Sequence, residues 1–248
     1  MSRWKAAGIH LSISAAIGLV AGALLFGVWY PPPYFHAAGA DVLVLLLVSV
    51  DLTLGPLLTL VVFKSGKRGL RFDLSIIAIA QAIALVYGMS VVLRSRPVFL
   101  LAAIDRFELI AANELAAEDL AQGSAPEFRT LSWTGPRLAA TKPPADWRER
   151  NKILFGKTGG KDIDELPKYY VDYASAAADL LKRAKPLEKL PLRGEQDRRK
   201  LEDALTSAHA SRDAVVWVPI VALKASLTML LDARSGQPLQ AVAINPWP

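Results

Sequence analysis

The sequence predicts a membrane protein in which three N-terminal transmembrane α-helices precede a periplasmic α+β domain with an antiparallel sheet of about four strands. Three apolar windows, at about 6–30, 42–63 and 74–93, each have the roughly 20 residues that a bilayer-crossing helix needs. From Arg94 onward, charged residues recur every few positions to the end of the chain. These two observations divide the chain into a transmembrane region, 1–93, and one outer domain, 94–248.

The positions of the basic residues predict how the chain is oriented in the membrane. The loop between the first two helices, 31–41, has no Lys or Arg. On the same side of the membrane, only Arg94 and Arg96 follow the third helix directly. The N-terminus and the next loop instead carry Arg3, Lys5, Lys64, Lys67, Arg68 and Arg71. By the positive-inside rule, the N-terminus is cytoplasmic and the C-terminal domain lies outside. An outer domain without cysteine suits a bacterial periplasm. The net charge of +6 arises mostly from these topology-determining residues. It is therefore not a sign of nucleic-acid binding, and we expect no nucleic-acid partner.

Several kinds of chemistry are disfavoured by the residues present. The chain has no cysteine, which excludes thiol catalysis, disulfides and cysteine metal sites. Its three histidines, His10, His36 and His209, are far apart in unlike contexts. The segment Gly156-Lys157-Thr158 has Asn151 where a phosphate-binding loop needs glycine. We therefore expect no enzymatic activity, no cofactor, no metal ion and no small-molecule substrate.

Each predicted transmembrane helix carries small residues at intervals of four, a spacing that lets helices approach closely in lipid. The sets are Ser14, Gly18 and Gly22, then Asp51, Gly55 and Thr59, then Ala80, Ala84 and Gly88. The favoured interpretation is that the three helices pack on one another. The alternative is that one set stays open and receives a helix of another protein.

Asp51 is the unusual residue, because a carboxylate inside a membrane helix costs roughly 2.5–3.5 kcal/mol. Counting the rise per residue places Asp51 and Tyr87 at a similar depth, so a carboxyl–phenol hydrogen bond is possible. Asp51 is otherwise expected to be protonated or paired with a partner's group. One ionisable group is not a proton pathway, which argues against transport. The candidate packing or partner-contact residues are Asp51, Gly55, Pro56, Gln81 and Tyr87.

Pro56 and Gln81 are included because they change hydrogen bonding inside the bundle. Proline has no N–H group, so Pro56 leaves the carbonyl of Leu52 without its helical donor. Gln81 is predicted to lie nearer the depth of Pro56 and Thr59.

The outer domain alternates between predicted strands and helices. Strands are predicted at 96–110, 215–223, 226–231 and 239–244, and helices at 114–122, 146–155, 169–183 and 195–209. Segment 123–145 is predicted to be irregular, with a short strand around Leu131. Tyr169, Tyr170 and Tyr173 are expected to form an aromatic helix face. The helices lie between the first and second strands, which favours an α+β arrangement.

Four residues of the outer domain are candidate structural or contact residues: Arg96, Asp105, Arg106 and Trp247. Asp105 and Arg106 are predicted strand neighbours that point to opposite faces, and a structural role is favoured for them. Trp247 lies between two prolines that cannot extend a strand. We expect it to fold back onto the sheet or the membrane face.

Several segments, in this order and spacing, resemble the type IV pilin accessory proteins, which are encoded beside the major pilin gene in some Gram-negative bacteria. They are "DLTLGPLLTLVVF" (51–63), "FDL" (72–74), Gln81, "YG" (87–88), "RPV" (96–98), "DRFEL" (105–109), "SGQPL" (235–239) and "NPW" (245–247). The resemblance covers essentially the whole chain. It implies an inner-membrane protein that promotes surface piliation by its cognate pilin, with no cofactor and no catalytic residue.

The expected partners are accordingly a type IV pilin, inner-membrane pilus assembly components and membrane lipid. A pilin subunit combines a membrane helix with a periplasmic head, so the bundle and the outer domain could each contact one part of it. Two alternatives are a membrane-anchored periplasmic ligand sensor and, less favoured, a transporter subunit.

Overall fold

The computed structural model describes residues 2–154 and 161–247. Its N-terminal region consists of three helices that are long and apolar enough to cross a membrane, Arg3–Trp29, Ala40–Val62 and Leu70–Arg94. A short helix, Tyr34–Ala37, lies in the loop between the first two. The first long helix ends in a π-helical turn, Leu25–Trp29, and the second contains one at Val50–Leu54. The three predicted apolar windows are therefore confirmed as helices.

The second long helix packs against both others. The first long helix contacts mainly its later half, Gly55–Val62, whereas the third contacts both halves. Two glycines permit this proximity. A Cβ atom at Gly55 would lie 2.0 Å from Gln81 Nε2, and one at Gly88 would lie 2.2 Å from Leu47 Cδ1. Small residues of the second and third helices are thus used for packing within the bundle, as the favoured interpretation predicts.

Gly18 and Gly22 of the first helix differ, because no atom of either neighbouring helix lies within 4 Å of a Cβ built on either. This contrast predicts that leucine at position 55 disrupts the bundle while leucine at position 18 does not. We expect Gly55→Leu to lower the free energy of unfolding by about 1–3 kcal/mol, because the leucine must displace the Gln81 amide from its hydrogen bond to the Asp51 carbonyl. The measurement is thermal unfolding of the full chain in detergent, with Gly18→Leu as the matched control. Equal unfolding midpoints for the two variants would contradict the packing assignment.

The C-terminal domain is built on one mixed sheet. Among the described residues its strands are β1 (Pro97–Ala103), β2 (Arg106–Ala111), β3 (Arg137–Thr141), β4 (Tyr170–Val171), β5 (Lys185–Pro186), β6 (Val215–Val221), β7 (Leu227–Asp232) and β8 (Pro238–Val242). Their order is β4-β3-β1-β2-β6-β7-β8, and β5 also pairs with β6. The β1–β3 and β2–β6 pairs are parallel, and the other pairs are antiparallel.

The prediction of an antiparallel sheet of about four strands is therefore wrong in two respects: the sheet has more strands, and two of its strand pairs are parallel. The predicted strand 96–110 is a hairpin, because the chain turns at Ile104, whose φ is 45°, and Asp105. β3 forms inside the segment predicted to be irregular, and no strand forms around Leu131, a described residue. β3 is stabilised by parallel pairing with β1, a contact between distant segments that local sequence does not reveal.

Several predicted helices are confirmed and one is largely wrong. The domain has helices at Ala117–Ala121, Trp147–Leu154, Ala177–Leu181 and Glu195–Ser207. Predicted helix 169–183 is helical only in its later part, since Tyr170 belongs to β4 and Tyr173 to a short 3-10 turn. The three tyrosines therefore do not form one helix face. The segment Gly156-Lys157-Thr158 lies outside the described residues.

Both faces of the sheet are covered, which explains why the first six residues of β1 are all buried. On one face, Leu100 and Phe107 pack with Tyr173 and with Ala37 from the loop between the first two long helices. The opposite face has two clusters, one around Phe99 and Tyr170. The other joins Leu201 of helix Glu195–Ser207 to Trp217 and Leu230. Because Ala37 is in the domain's core, the loop attaches the bundle to the domain.

Candidate functional site

Asp51 lies where three clefts of the helical bundle meet. It sits in the π-helical turn Val50–Leu54 of the second long helix. A cleft of about 360 Å³ along the first two long helices is lined by Gly18, Gly22 and Asp51. A second cleft, of about 280 Å³ between the second and third helices, is lined by Asp51 and Tyr87. A third, of about 170 Å³, lies between Asp51, His10 and Gln81.

The polar contact of the Asp51 turn is made by its backbone. Gln81 Nε2 donates a hydrogen bond to the Asp51 carbonyl oxygen, at 3.3 Å. The acceptor is the residue before Leu52, whose own carbonyl Pro56 leaves without its helical donor. Gly55 permits this approach because its missing side chain leaves the space that Gln81 occupies. Together with Pro56, at the start of the following helical segment, these residues form one local unit.

The carboxyl group of Asp51 has no hydrogen-bond partner among the described residues. Tyr87 lines the same cleft, but its side chain is 71% exposed, and within the described chain it does not bond to Asp51. Similar depth was therefore predicted correctly, whereas the possible carboxyl–phenol bond is not formed. An intramembrane carboxyl group that borders three clefts without an internal partner is available to a group from another molecule.

One polar contact between the long helices was missed in the sequence. His10 Nδ1 and Thr59 Oγ1 form a hydrogen bond of 2.6 Å that joins the first and second helices. Thr59 is buried, and Ser14, one helical turn after His10, is buried too. The available signal was the position of His10, an ionisable residue within an apolar window.

Arg96 connects the third long helix to the C-terminal domain. The residue is buried, and its Nη1 donates to the Leu93 carbonyl at 2.7 Å while Nε donates to the Ser132 carbonyl at 2.9 Å. Its guanidinium carbon lies 4.8 Å from the centroid of the Trp133 ring. Burial lowers the pKa of Arg96, an effect that the nearby Tyr30 hydroxyl opposes. Arg96 therefore holds the end of the helix against loop residues 132–133.

A second connection involves the turn between β6 and β7. Lys224 Nζ lies 2.8 Å from Asp41 Oδ2, in the first turn of the second long helix. His36 Nδ1 lies 2.8 Å from the same carboxylate oxygen. The backbone N–H of Lys224 also donates to the Ala37 carbonyl at 2.9 Å. Because the charged groups are partly exposed, their ion pairs contribute little stability. These contacts serve to orient the loop against the domain.

The prediction that Asp105 and Arg106 point to opposite faces of a strand is wrong. Arg106 Nε lies 3.0 Å from Asp105 Oδ1, because Asp105 belongs to the turn and not to a strand. Trp247 folds back as expected, with Nε1 donating to Ser226 Oγ at 2.9 Å. Its carbonyl accepts a hydrogen bond from Arg193 Nη2 at 2.6 Å. These contacts are structural ones within the domain.

Because of its surroundings, Glu108, on β2, is expected to make the stability of the domain depend on pH. Burial raises the pKa of Glu108 to about 7, and the Asp164 carboxylate adds to this while Arg106 opposes it. The folded chain therefore binds this proton more tightly than the unfolded chain. Its stabilising effect is complete below the ordinary glutamate pKa and is lost as the pH rises through about 7.

Replacing Glu108 by Gln should remove the contribution of this residue to the pH dependence, because an amide does not ionise. We expect wild-type unfolding midpoints to fall between pH 5 and pH 8, and the variant to show a smaller fall and higher stability at pH 8. Denaturant unfolding across this pH range tests the prediction, with Glu188→Gln, an exposed control, expected to match the wild type. An unchanged slope in the Glu108→Gln variant would contradict it.

Three long apolar helices joined to a mixed α+β sheet domain define a membrane protein whose bundle carries a carboxyl group at the junction of its clefts. Residues 1–39 match the family model described as "Fimbrial assembly protein FimB". The chain is 30% identical over 247 residues to "Fimbrial assembly protein, serogroup I" of Dichelobacter nodosus, with 97% of this chain and 95% of the relative covered. It therefore belongs to the fimbrial assembly protein family.

Two further relatives from Dichelobacter nodosus agree with this assignment. "Fimbrial assembly protein, serogroup E1" is 30% identical over 247 residues, with 97% of this chain and 95% of the relative covered. "Fimbrial assembly protein, serogroups C1 and C2" is 32% identical over 120 residues, with 48% of this chain and 92% of the relative covered. No solved structure matches. The resemblance to pilus accessory proteins seen in the sequence is thereby confirmed.

Proposed function

We propose that this chain is an inner-membrane accessory protein of type IV pilus biogenesis, which promotes surface piliation by its cognate pilin through protein–protein contacts. The observation that carries the proposal is the similarity to fimbrial assembly proteins, which extends over 97% of the chain. It includes both the helical bundle and the C-terminal domain. Membership of this family supports a role in pilus assembly, and the proposal assigns no catalytic step to the chain.

The cleft that contains Gly18, Gly22 and Asp51 is the proposed contact surface for the pilin's membrane helix. Small residues allow two helix backbones to approach closely in lipid. Gly18 and Gly22 are free of internal contacts at the Cβ position, unlike Gly55 and Gly88 of the other two long helices. Asp51, at the same cleft, supplies a carboxyl group for a polar contact with the partner.

The C-terminal domain is proposed to contact the pilin head or inner-membrane assembly components on the periplasmic side. The basic N-terminus and the basic loop 64–71 support a cytoplasmic position for these segments. The domain follows an odd number of helices, so it would lie on the opposite side of the membrane. The connections through Arg96 and Lys224 would keep the domain close to the bundle while both parts engage one pilin.

Site-specific photo-crosslinking tests the contact in cells that make the pilin. A crosslinking amino acid at position 18 is expected to capture pilin. Position 20 is the matched control, because Val20 is on the same helix, is 72% exposed and lies outside the Asp51 clefts. Capture of pilin at neither position, or equally at both, would argue against this contact surface.

Deletion of the gene tests the assembly role separately from the contact surface. We expect surface pili to fall strongly while the total amount of pilin stays unchanged. The measurement compares sheared surface pili with pilin in whole cells. Restoration by the wild-type gene is the control, and unchanged piliation in the deletion strain would contradict the proposed role.

A further inference from the structure

We propose that the side of the C-terminal domain next to the long helices rests in the lipid surface of the adjacent leaflet. The contact is made by Trp133 and Leu223, which we call the membrane-facing rim. The proposal concerns a lipid partner and does not depend on the role in pilus assembly. It rests on the level of these two side chains relative to the helix ends and on their exposure.

Trp133 lies at the level of the end of the third long helix. The Arg96 guanidinium bonds to the carbonyl of Leu93, in the last turn of that helix, and stacks 4.8 Å from the Trp133 ring. The helix has 25 residues, a length of roughly 37 Å, which exceeds the hydrocarbon thickness of about 30 Å. Its last turn therefore reaches the headgroup region, where tryptophan is enriched in membrane proteins. Trp133 is 62% exposed there.

Leu223 lies at the level of the start of the second long helix. The next residue, Lys224, pairs with Asp41 of the first helical turn and bonds to the carbonyl of Ala37. A Cβ atom at Gly39, just before the helix, would lie 3.9 Å from Leu223 Cδ2. Leu223 is nevertheless 81% exposed. A leucine this exposed, beside the ends of apolar helices, is suited to the boundary between headgroups and acyl chains.

Basic residues at the same level complement a phospholipid surface. Arg94, the last residue of the third long helix, is exposed, and Lys224 holds its ammonium group between Asp41 and solvent. Phospholipid headgroups carry phosphate, and arginine at a helix end extends its long side chain toward them. The membrane-facing rim therefore combines apolar side chains with nearby cations, as an interfacial contact requires.

Two equally exposed residues at the opposite end of the domain provide matched controls. Ile104 is 76% exposed and follows β1, which begins next to Arg96 and has seven residues, a length of roughly 23 Å. Trp147 is 64% exposed. Its helix packs near Tyr169, which pairs with the residue after β3, and β3 runs parallel to β1. Exposure is thus similar in the two pairs, and only their level differs.

The absence of cysteine makes the test direct, because one cysteine at a time can be introduced and spin-labelled. The variants are Trp133→Cys, Leu223→Cys, Ile104→Cys and Trp147→Cys, each as the full chain in phosphatidylethanolamine–phosphatidylglycerol vesicles. The measured quantity is the ratio of label collisions with oxygen, which concentrates in lipid, to collisions with a water-soluble nickel chelate. We expect ratios several-fold higher at positions 133 and 223 than at positions 104 and 147.

Several results would overturn the proposal. One is a ratio at position 133 or 223 that equals the ratios at positions 104 and 147, which would place the rim in water. Another is a label at either rim position that is shielded from both quenchers, which would indicate a protein contact. Leu223→Cys keeps the assay informative if substitution of Trp133 disturbs Arg96, because Leu223 lies beside Gly39 and next to the Lys224–Asp41 pair, in a different connection from that of Arg96.

Discussion

Replacing Asp51 by leucine is expected to weaken the partner contact about tenfold, or by about 1.4 kcal/mol, and to reduce surface pili strongly. Replacement by asparagine is expected to preserve most of the piliation. Asp51 borders three clefts, and its carboxyl group has no internal partner in the described chain. Asparagine keeps a polar group of similar size that can accept and donate hydrogen bonds. Leucine removes that group and fills part of the cleft.

The measurement is the amount of sheared surface pili at equal expression of each variant. Thr53→Leu is the matched control, because Thr53 belongs to the same π-helical turn but is exposed on the outside of the bundle and lines none of these clefts. Cells with this variant should have as many surface pili as cells with the wild-type protein. If asparagine abolished piliation as fully as leucine, the negative charge of Asp51 would be the essential property. If leucine had no effect, Asp51 would not take part in the contact.

Replacing Arg96 by leucine is expected to destabilise the junction between the bundle and the domain by about 2–4 kcal/mol. The substitution leaves two carbonyl groups, of Leu93 and Ser132, without their charged donor, and it removes the stacking on Trp133. Arg96 is buried, so water cannot readily replace these hydrogen bonds. Lysine at position 96 should be intermediate, because it keeps the charge but lacks the planar fork of donors.

Chemical denaturation of the full chain in detergent measures this effect through tryptophan fluorescence. Arg94→Leu is the matched control, since Arg94 is two residues earlier but exposed, and it should change stability by less than about 0.5 kcal/mol. Equal midpoints for the two leucine variants would show that Arg96 does not hold the junction. A loss confined to Arg96→Leu would support its assignment as the connecting residue.

The helical bundle was largely predictable from the sequence because lipid selects for uninterrupted apolar length. The windows at 6–30, 42–63 and 74–93 required only counting, and each became a long helix. The depth of Asp51 relative to Tyr87 followed from the constant rise of a helix. The direction of side chains did not follow, because it depends on how each helix is rotated against its neighbours. Gln81 therefore bonds to the backbone of Asp51, and His10 reaches Thr59.

In the C-terminal domain, local patterns located β6, β7 and β8, since alternating or continuous apolar runs separated by a turn are visible within a short window. They did not reveal that β2 lies parallel to β6 or that β3 joins β1, because those pairs connect segments far apart in the chain. The same limit applies to Arg96, whose function as a connection exists only once Ser132 and Trp133 are placed beside it.

The sequence by itself determined the class of the protein, its three membrane-length helices, the unusual carboxylate at position 51 and the resemblance to pilus accessory proteins. These properties are encoded in composition, spacing and short motifs, each of which can be read locally. Only the tertiary structure decided that the sheet is mixed, that Gly18 and Gly22 stay open while Gly55 and Gly88 are filled, and that Trp133 and Leu223 lie beside the helix ends. The physical reason is that each of these depends on contacts between residues distant in sequence.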